Sequence, residues 1–335
     1  MIEIDGSYGE GGGQIVRTAT SLSAYTGKSV RIRNIRANRS NPGLRPQHVK
    51  GVEALADLCD ADVSGAEVGS SSLVFHPDKL RYRDMEIDIG TAGSVTLLLQ
   101  SLMPPLIKCD KELDITVTGG TDVKWSPPID YMRHVLLPIL RDHGFVANLD
   151  IEKRGFYPKG GGEVVFHLEK VDLRKFDLIK RGDIERAGGV SYASEHLRSS
   201  EVADRQAKGA KKVLWKELGV EAEISTEYCE SMSPGSGIQL WLKTNNSVIG
   251  GNSLGERGVS SEKVGKEASD DLMRGLRGAV DRYAADQLIP FLGLVGGRLE
   301  VSEKTEHSRT NQAIVKKFLD VSFEVDGFTI RSQKR

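Results

Sequence analysis

Gly9-Glu10-Gly11-Gly12-Gly13-Gln14-Ile15-Val16-Arg17-Thr18-Ala19 sets four glycines around one carboxylate, directly before a helix-like segment. Two other stretches repeat this plan of a glycine turn followed by a helix with a glutamine and an apolar stripe. One is Gly90-Thr91-Ala92-Gly93-Ser94 running to Gln100. The other is Gly278-Ala279-Val280-Asp281-Arg282-Tyr283-Ala284-Ala285-Asp286-Gln287. Each leads through a loop with Pro, His or Asn to a second amphipathic helix, beginning near His48, Ile129 and Asn311. An internal period of this kind signals a structural unit used more than once.

The spacing of the three turns is unequal. Gly13 and Gly93 lie 80 residues apart, Gly93 and Gly278 lie 185 apart, and the third unit is therefore about 105 residues late. A segment of that size can form a small domain. The expected division is a large domain of residues 1–180 and 276–335, holding three repeats, with a small α/β domain of residues 181–275 inserted before the third. Within the insertion the residue pattern predicts strands near Gly189–Ser194, Glu221–Cys229 and Gln239–Lys243. Helices are expected over Val202–Leu218 and Ser261–Gly275, the latter capped by Ser260 or Ser261 with Glu262 in its first turn.

In the large domain, strands are expected at Val30–Ile35, Met85–Ile89, Leu113–Val117 and Gly162–His167. Ile129, Met132, Leu136, Ile139 and Leu140 share a helical face, with a kink expected at Pro138 and an end at Gly144. Strands alternating with helices describe an α/β (α+β) fold, with helices laid on sheets in three βαβαββ-type units.

Composition excludes several classes. The chain has 335 residues, 39% of them hydrophobic, and no apolar run long enough for a membrane span. Met1-Ile2-Glu3-Ile4-Asp5 alternates like a strand rather than a signal peptide. Cys59, Cys109 and Cys229 are too scattered for a disulfide framework or a paired-cysteine metal site, so a reducing, cytoplasmic setting is expected. A formal net charge of −1 gives no basis for coating long nucleic acid, though it does not bear on a local groove for one RNA end.

The glycine loops could present free backbone N–H groups to phosphate at a helix start. None is a P-loop or a dinucleotide fingerprint. Tight packing turns would use the same glycines, so the loops alone do not separate the two roles. Arg31, Arg33, Arg36, Arg39 and Arg45 cluster around a loop rich in Asn, Pro and Gly, a composition suited to phosphates and hydroxyls and also to an ordinary solvated loop. His307 is expected in a polar loop entering the last helix, at the position that the arginine loop occupies in the first unit.

Taken together in their order, these stretches resemble the RNA 3′-terminal phosphate cyclase family over nearly the whole chain. The resemblance is carried by Gly9–Ala19, Arg36–His48, Gly90–Gln100, Gly119-Gly120-Thr121-Asp122, Ser126-Pro127-Pro128, Gly155–Gly162, Ala285-Asp286-Gln287-Leu288, and the loop with His307, Thr310 and Asn311. It implies three βαβαββ-type units with a smaller inserted domain. It also implies an ATP-dependent conversion of an RNA 3′-terminal phosphate into a 2′,3′-cyclic phosphodiester, through a histidine–AMP and then an RNA-adenylate intermediate.

By the same resemblance His307 matches the nucleophile and Glu10 a carboxylate near the ATP phosphates and a Mg²⁺ or Mn²⁺ ion. Gln100 and the run Tyr283, Ala284, Ala285, Asp286 and Gln287 match adenylate-binding segments. Asp286 is also the candidate to orient His307. Arg17, Arg39 and Gln47 match positions for RNA or ATP phosphates. The expected partners are ATP and an RNA 3′ end carrying a terminal phosphate, with no membrane. A non-catalytic, RNA-binding ribosome-assembly relative of the same fold is the alternative, and a histidine at the nucleophile position and Glu10 both argue against it. A two-lobed enolpyruvyl transferase would need more repeats than the three seen.

Overall fold

The computed structural model describes residues 1–335. The first sheet is built from β1 (Ile2–Asp5), β2 (Val30–Arg33), β3 (Asp62–Ser64) and β4 (Leu73–His76), in the order β1-β2-β4-β3. Between them run α1 (Gly13–Thr26) and α2 (Pro46–Cys59). The second sheet holds β5 (Met85–Asp88), β6 (Leu113–Gly119), β7 (Phe145–Lys153) and β8 (Gly162–Val171), in the order β5-β6-β8-β7. Its helices are α3 (Val95–Leu106), then α4 (Ile129–Tyr131) and α5 (Leu137–Asp142) joined by a π turn, Met132–Leu136. Pro138 lies just beyond that turn. It has no N–H to give the His134 carbonyl, so the ladder is re-registered where the sequence predicts a kink.

A three-residue strand, β9 (Phe176–Leu178), precedes a separate layer. That layer contains β10 (Ile184–Ser194), α6 (Val202–Leu218), β11 (Ala222–Cys229), β12 (Ser236–Thr244), β13 (Val248–Leu254) and α7 (Ser261–Gly275). Its sheet has the order β11-β10-β12-β13. The chain closes with α8 (Arg282–Val295), β14 (Gly297–Glu300), α9 (Glu306–Phe318), β15 (Val321–Asp326) and β16 (Thr329–Lys334). The fourth sheet has the order β15-β16-β14-β9, so it recruits β9 from before the separate layer.

The first, second and fourth sheets share one connectivity. In each, the first strand runs parallel to the second, and the remaining pairs are antiparallel. Strand alternation explains which face is covered. Leu113, Ile115 and Val117 of β6 are buried, with Asp114 exposed between the first two. The helices of these three units pack on one another, and α1 touches α2, α3 and α9. Their apolar faces merge into one core of 63 buried residues.

The layer spanning β10–α7 has its own core of 13 buried residues, including Leu214, Ile238, Leu240 and Leu272. Helices α6 and α7 have the bounds that sequence periodicity predicts. Two features differ from expectation. β9 puts the insertion after the first strand of the third unit, not before the unit; three residues are too short to show a period. β13 is not expected from sequence, because Gly250 and Gly251 depress strand propensity. Side chains there are excluded: a Cβ at Gly250 would lie 2.7 Å from the Tyr131 ring, and one at Gly251 would strike the α7 backbone at Leu272.

One buried ionic group welds the two cores. Arg154 is buried between Asp122 at 3.1 Å and Asp130 at 2.7 Å, pairs with Glu227 of β11, and lies 4.0 Å over the Tyr192 ring of β10. Burial works against its charge, but Asp130, Asp122 and Glu227 outweigh it and hold the guanidinium protonated. Such a group does more for geometry than for stability while all partners are present.

The α6–α7 contact is equally confined. A Cβ at Gly265 would collide with the Gln206 carbonyl oxygen of α6. Gly265→Ala therefore has to push the two helices apart, and small-to-large changes of this kind cost about 1–3 kcal/mol. The expected outcome is a lower midpoint in thermal denaturation followed by circular dichroism. An unchanged midpoint would show that the helix pair has slack.

Candidate active site

The site begins where β1 ends. Asp5 Oδ1 accepts from the backbone N–H and hydroxyl of Ser7, at 2.9 and 2.7 Å, and this fastens the glycine loop at its base. Gly9 has φ +57°, and a Cβ there would stand 2.7 Å from Thr310 Oγ1, so glycine lets the loop lie on α9. Glu10 is thereby carried to the first turn of that helix. The N-terminus of α1 is capped by Gly12 with no side-chain partner, which leaves the Gly13 and Gln14 N–H groups open.

His307 is not in a loop, as expected from sequence, but in the first turn of α9. The Thr305 hydroxyl accepts from Ser308 N–H at 2.9 Å and starts the helix two residues before the histidine. It also donates to Asp286 Oδ1. Thr305, followed by Glu306 in the first turn, is a readable N-cap signal. The apolar period alone puts the helix start at Asn311, which is too late.

Two carboxylates flank the imidazole. Asp286 Oδ2 is 3.6 Å from Nδ1, and Glu10 Oε2 is 3.2 Å from Nε2. At 3.6 Å the first contact is a charge pairing rather than a closed hydrogen bond. Asp286 is the main influence that holds the imidazole above its ordinary value; partial burial opposes it, and the charge of Glu10 adds to it. Burial likewise raises Asp286, with His307 and Thr305 pulling the other way. Glu10 Oε2 also meets Arg39 Nη2 at 3.2 Å.

Three further bonds hold α9, α8 and α1 in place. Gln14 Nε2 donates to the His307 carbonyl at 2.8 Å. Thr18 Oγ1 donates to Asn311 Oδ1 at 2.7 Å. Asn311 Nδ2 donates to the Asp286 carbonyl at 2.8 Å. Gln14, Thr18 and Thr305 receive no role from sequence, because a polar residue on an amphipathic helix shows no partner until the neighbouring helix is known.

Behind the imidazole lies a cleft lined by Gln14, Arg17, Thr18, Gln100, Gln287 and Asn311. The Arg17 guanidinium forms no ion pair and donates no hydrogen bond within the protein. Burial lowers its guanidinium to about 10, which still leaves it charged at neutral pH. A partly buried cation without a counter-charge is costly unless an anion arrives. His48 reports the same positive field. Burial first, and then Arg17, Arg36 and Arg45, push it down to about 3, so it is neutral.

The other sequence candidates are distributed around this centre. Gln47 Oε1 accepts from Ser94 N–H at 3.0 Å and joins the arginine loop to the second glycine turn. Gln287 lines the cleft and donates to the Tyr283 carbonyl at 3.1 Å. Ala284 and Ala285 are fully buried in the core. Tyr283 does not line the cleft; its ring is edge-on to Tyr131 at 5.4 Å. Arg45 N–H donates to His48 Nδ1 at 3.0 Å. No group of three or more His, Cys, Asp or Glu side chains is arranged to hold a metal. No helix is long and apolar enough to cross a membrane.

Two outcomes follow from this geometry. Asp286→Asn removes the charge beside Nδ1, so the His307 pKa is expected to fall in an NMR titration of the histidine rings, with His307→Gln assigning the signal. The sign is fixed by linkage: a raised imidazole stabilises the fold below its unfolded value of about 6.5 and loses that contribution as pH rises through the folded value. An unmoved titration would mean that the carboxylate does not act across 3.6 Å. Arg17→Met removes an uncompensated charge, so the melting temperature is expected to hold or rise. Stabilisation by added pyrophosphate should disappear in this variant. Equal stabilisation of both proteins would place the anion elsewhere.

Comparison with known proteins adds the family. Residues 8–325 match the family model described as RNA 3′-terminal phosphate cyclase. A protein of Pyrococcus abyssi named RNA 3′-terminal phosphate cyclase is 49% identical over 330 residues, covering 98% of this chain and 96% of its own. One of that name from Thermococcus onnurineus is 50% identical, with 98% and 96% covered. Another from Archaeoglobus fulgidus is 46% identical, with 98% of both chains covered.

Proposed function

The chain belongs to the RNA 3′-terminal phosphate cyclase family, and from that membership we propose that it uses ATP to convert an RNA 3′-terminal phosphate into a 2′,3′-cyclic phosphodiester. The observation that carries this reading is an imidazole flanked by two carboxylates, beside a cleft that holds an unpaired arginine.

In the first step His307 Nε2 attacks the α-phosphorus of ATP. A P–N bond forms, the bond from the α-phosphorus to the bridging oxygen breaks, and pyrophosphate leaves. Asp286, on the Nδ1 side, would draw the proton to that nitrogen and leave the lone pair on Nε2. In the second step an oxygen of the RNA 3′-phosphate attacks the adenylyl phosphorus, the P–N bond breaks, and the histidine is regenerated. In the third the vicinal 2′-hydroxyl attacks the RNA phosphorus, its proton is lost, and AMP departs. Splitting the closure in this way replaces a poor leaving group with AMP.

The residues divide accordingly. Arg17 and the open N–H groups of α1 would meet phosphate oxygens. Arg39, on the loop before α2, and Gln47, in the first turn of α2, would receive the RNA end. Gln100 and Gln287 would bind the adenylate through the cleft, whereas Ala284 and Ala285 can contribute only through the course of α8. A single exposed carboxylate, Glu10, fits a Mg²⁺ or Mn²⁺ ion whose other ligands are phosphate oxygens and water. When bound, that ion would neutralise charge on the phosphates. We read residues 1–180 and 276–335 as the catalytic body and 181–275 as a small inserted domain. Three unpaired cysteines are in keeping with a cytoplasmic setting.

The test is incubation with α-labelled ATP and Mg²⁺ or Mn²⁺, followed by denaturing electrophoresis. A covalent label that is acid-labile and base-stable is expected, and His307→Ala should reduce it to background. Glu10→Ala should slow labelling while changing stability by no more than a surface substitution, within about 0.5 kcal/mol. An unlabelled, folded wild-type protein would move the weight to the non-catalytic assembly reading. Cyclisation by His307→Ala at the wild-type rate would overturn the nucleophile.

A further inference from the structure

Asp281 lies outside the cleft, fully buried at the start of α8, where the inserted sheet meets the body of the protein. Its two oxygens are divided between two structures. Oδ1 accepts from Tyr283 N–H at 2.9 Å, Ala284 N–H at 3.0 Å and the Tyr131 hydroxyl at 2.7 Å. Oδ2 accepts from Gly250 N–H of β13 at 2.8 Å. One oxygen thus caps α8 and ties it to α4, and the other ties it to the inserted sheet. Around this knot, Asp271 of α7 pairs with Arg282 at 2.9 Å and with Arg274 at 3.0 Å, and accepts from Asn252 N–H at 3.2 Å.

The next turn of α8 carries Asp286. Its carboxylate faces His307 and its carbonyl receives Asn311. A helix is stiff over this distance, so a displacement of its first turn moves Asp286 relative to α9. An N-cap could be supplied by any Ser, Thr, Asn or Asp. Only a carboxylate can accept on both sides at once without presenting a donor to Gly250 or to the cap.

We infer that Asp281 is a positioning residue, which through one shared carboxylate makes the docking of the inserted sheet part of the geometry that sets Asp286 against His307. The inference rests on the proposed role of His307. It differs from a purely structural role in what it slows: a strained but active protein loses molecules, whereas a misplaced Asp286 lowers the rate of each one.

Asp281→Asn separates the two. With its oxygen toward the cap, the amide keeps Tyr131, Tyr283 and Ala284, and turns its NH₂ against the Gly250 N–H. Only the tie to the inserted sheet is cut. Single-turnover labelling with α-labelled ATP then gives an amplitude, which counts active molecules, and a rate constant. The expected result is an amplitude near wild type and a rate constant lower by on the order of tenfold or more, because small misplacements of reacting groups are costly. Hydrogen exchange should show the Gly250 amide opened, with the Tyr283 and Ala284 amides still protected. A reduced amplitude with an unchanged rate constant assigns Asp281 to folding alone and overturns the inference. Wild-type rate and amplitude overturn it too. Should Asp281→Asn not fold, Asp281→Ser keeps a hydroxyl to cap α8 while giving up Gly250, and the same division between rate and amplitude decides. A wild-type protein that takes no label sinks the cyclase reading and this inference together. A labelled wild type with an unaffected variant sinks this inference alone.

Discussion

The hydrogen bond from Thr18 to Asn311 crosses 293 residues of sequence, and so does the one from Gln14 to His307. Both join α1 to α9, and the rest of the site follows from that pairing. With α9 fixed on α1, the glycine loop that precedes α1 falls beside the first turn of α9, and Glu10 reaches His307. With Asn311 fixed by Thr18, its other end is free to hold the Asp286 carbonyl. Buried polar side chains between helices are unfavourable unless every group is matched. Here Thr18, Asn311 and the backbone of α8 match one another in a single chain of donors and acceptors. The pairing therefore specifies the register of three helices, not only their contact.

The charge distribution follows the same division. The glycine loop and α8 supply the carboxylates, and the α1–α2 side supplies the cations. His307 sits on the boundary, raised by Asp286 and opposed by Arg17. His48 sits wholly on the cationic side and is held neutral. Two histidines in one protein are thus set in opposite directions by their surroundings. Such a polarised cleft has the charge to suit an anion at one end and a basic nitrogen at the other.

Much of this is legible in the sequence where a period or a cap announces itself. α6 and α7 lie where their apolar spacing puts them, and the unequal repeat length points to the extra segment. Legibility ends where the cause lies in a neighbour. β9 is three residues long, and its strand character comes from β14, which is remote in sequence. β13 carries glycines because Tyr131 and α7 press against it. For the site, His307, Asp286 and Glu10 can be named from motif residues and come together in space. Tyr283, Ala284 and Ala285 are named as a run, but a helix turns each residue to a different side, and only some positions of a run can face one cleft. Asp281 has no signal beyond that of an ordinary helix cap, since its second oxygen acts only once Gly250 is in place.

The inserted segment enters and leaves the body near one point. Arg181 is bound at the β12–β13 turn through Thr244, and α7 ends against Ile249 of β13. A segment with adjacent ends and its own core has the outline of a module that evolution could add or discard. The junction opposes such removal. Excision would strip Arg154 of Glu227 and Tyr192, leaving its charge balance with Asp122 and Asp130 open to water, and would strip Asp281 of Gly250. The segment is separable in outline and inseparable in chemistry, because Arg154 and Asp281 of the body depend on it for their own partners.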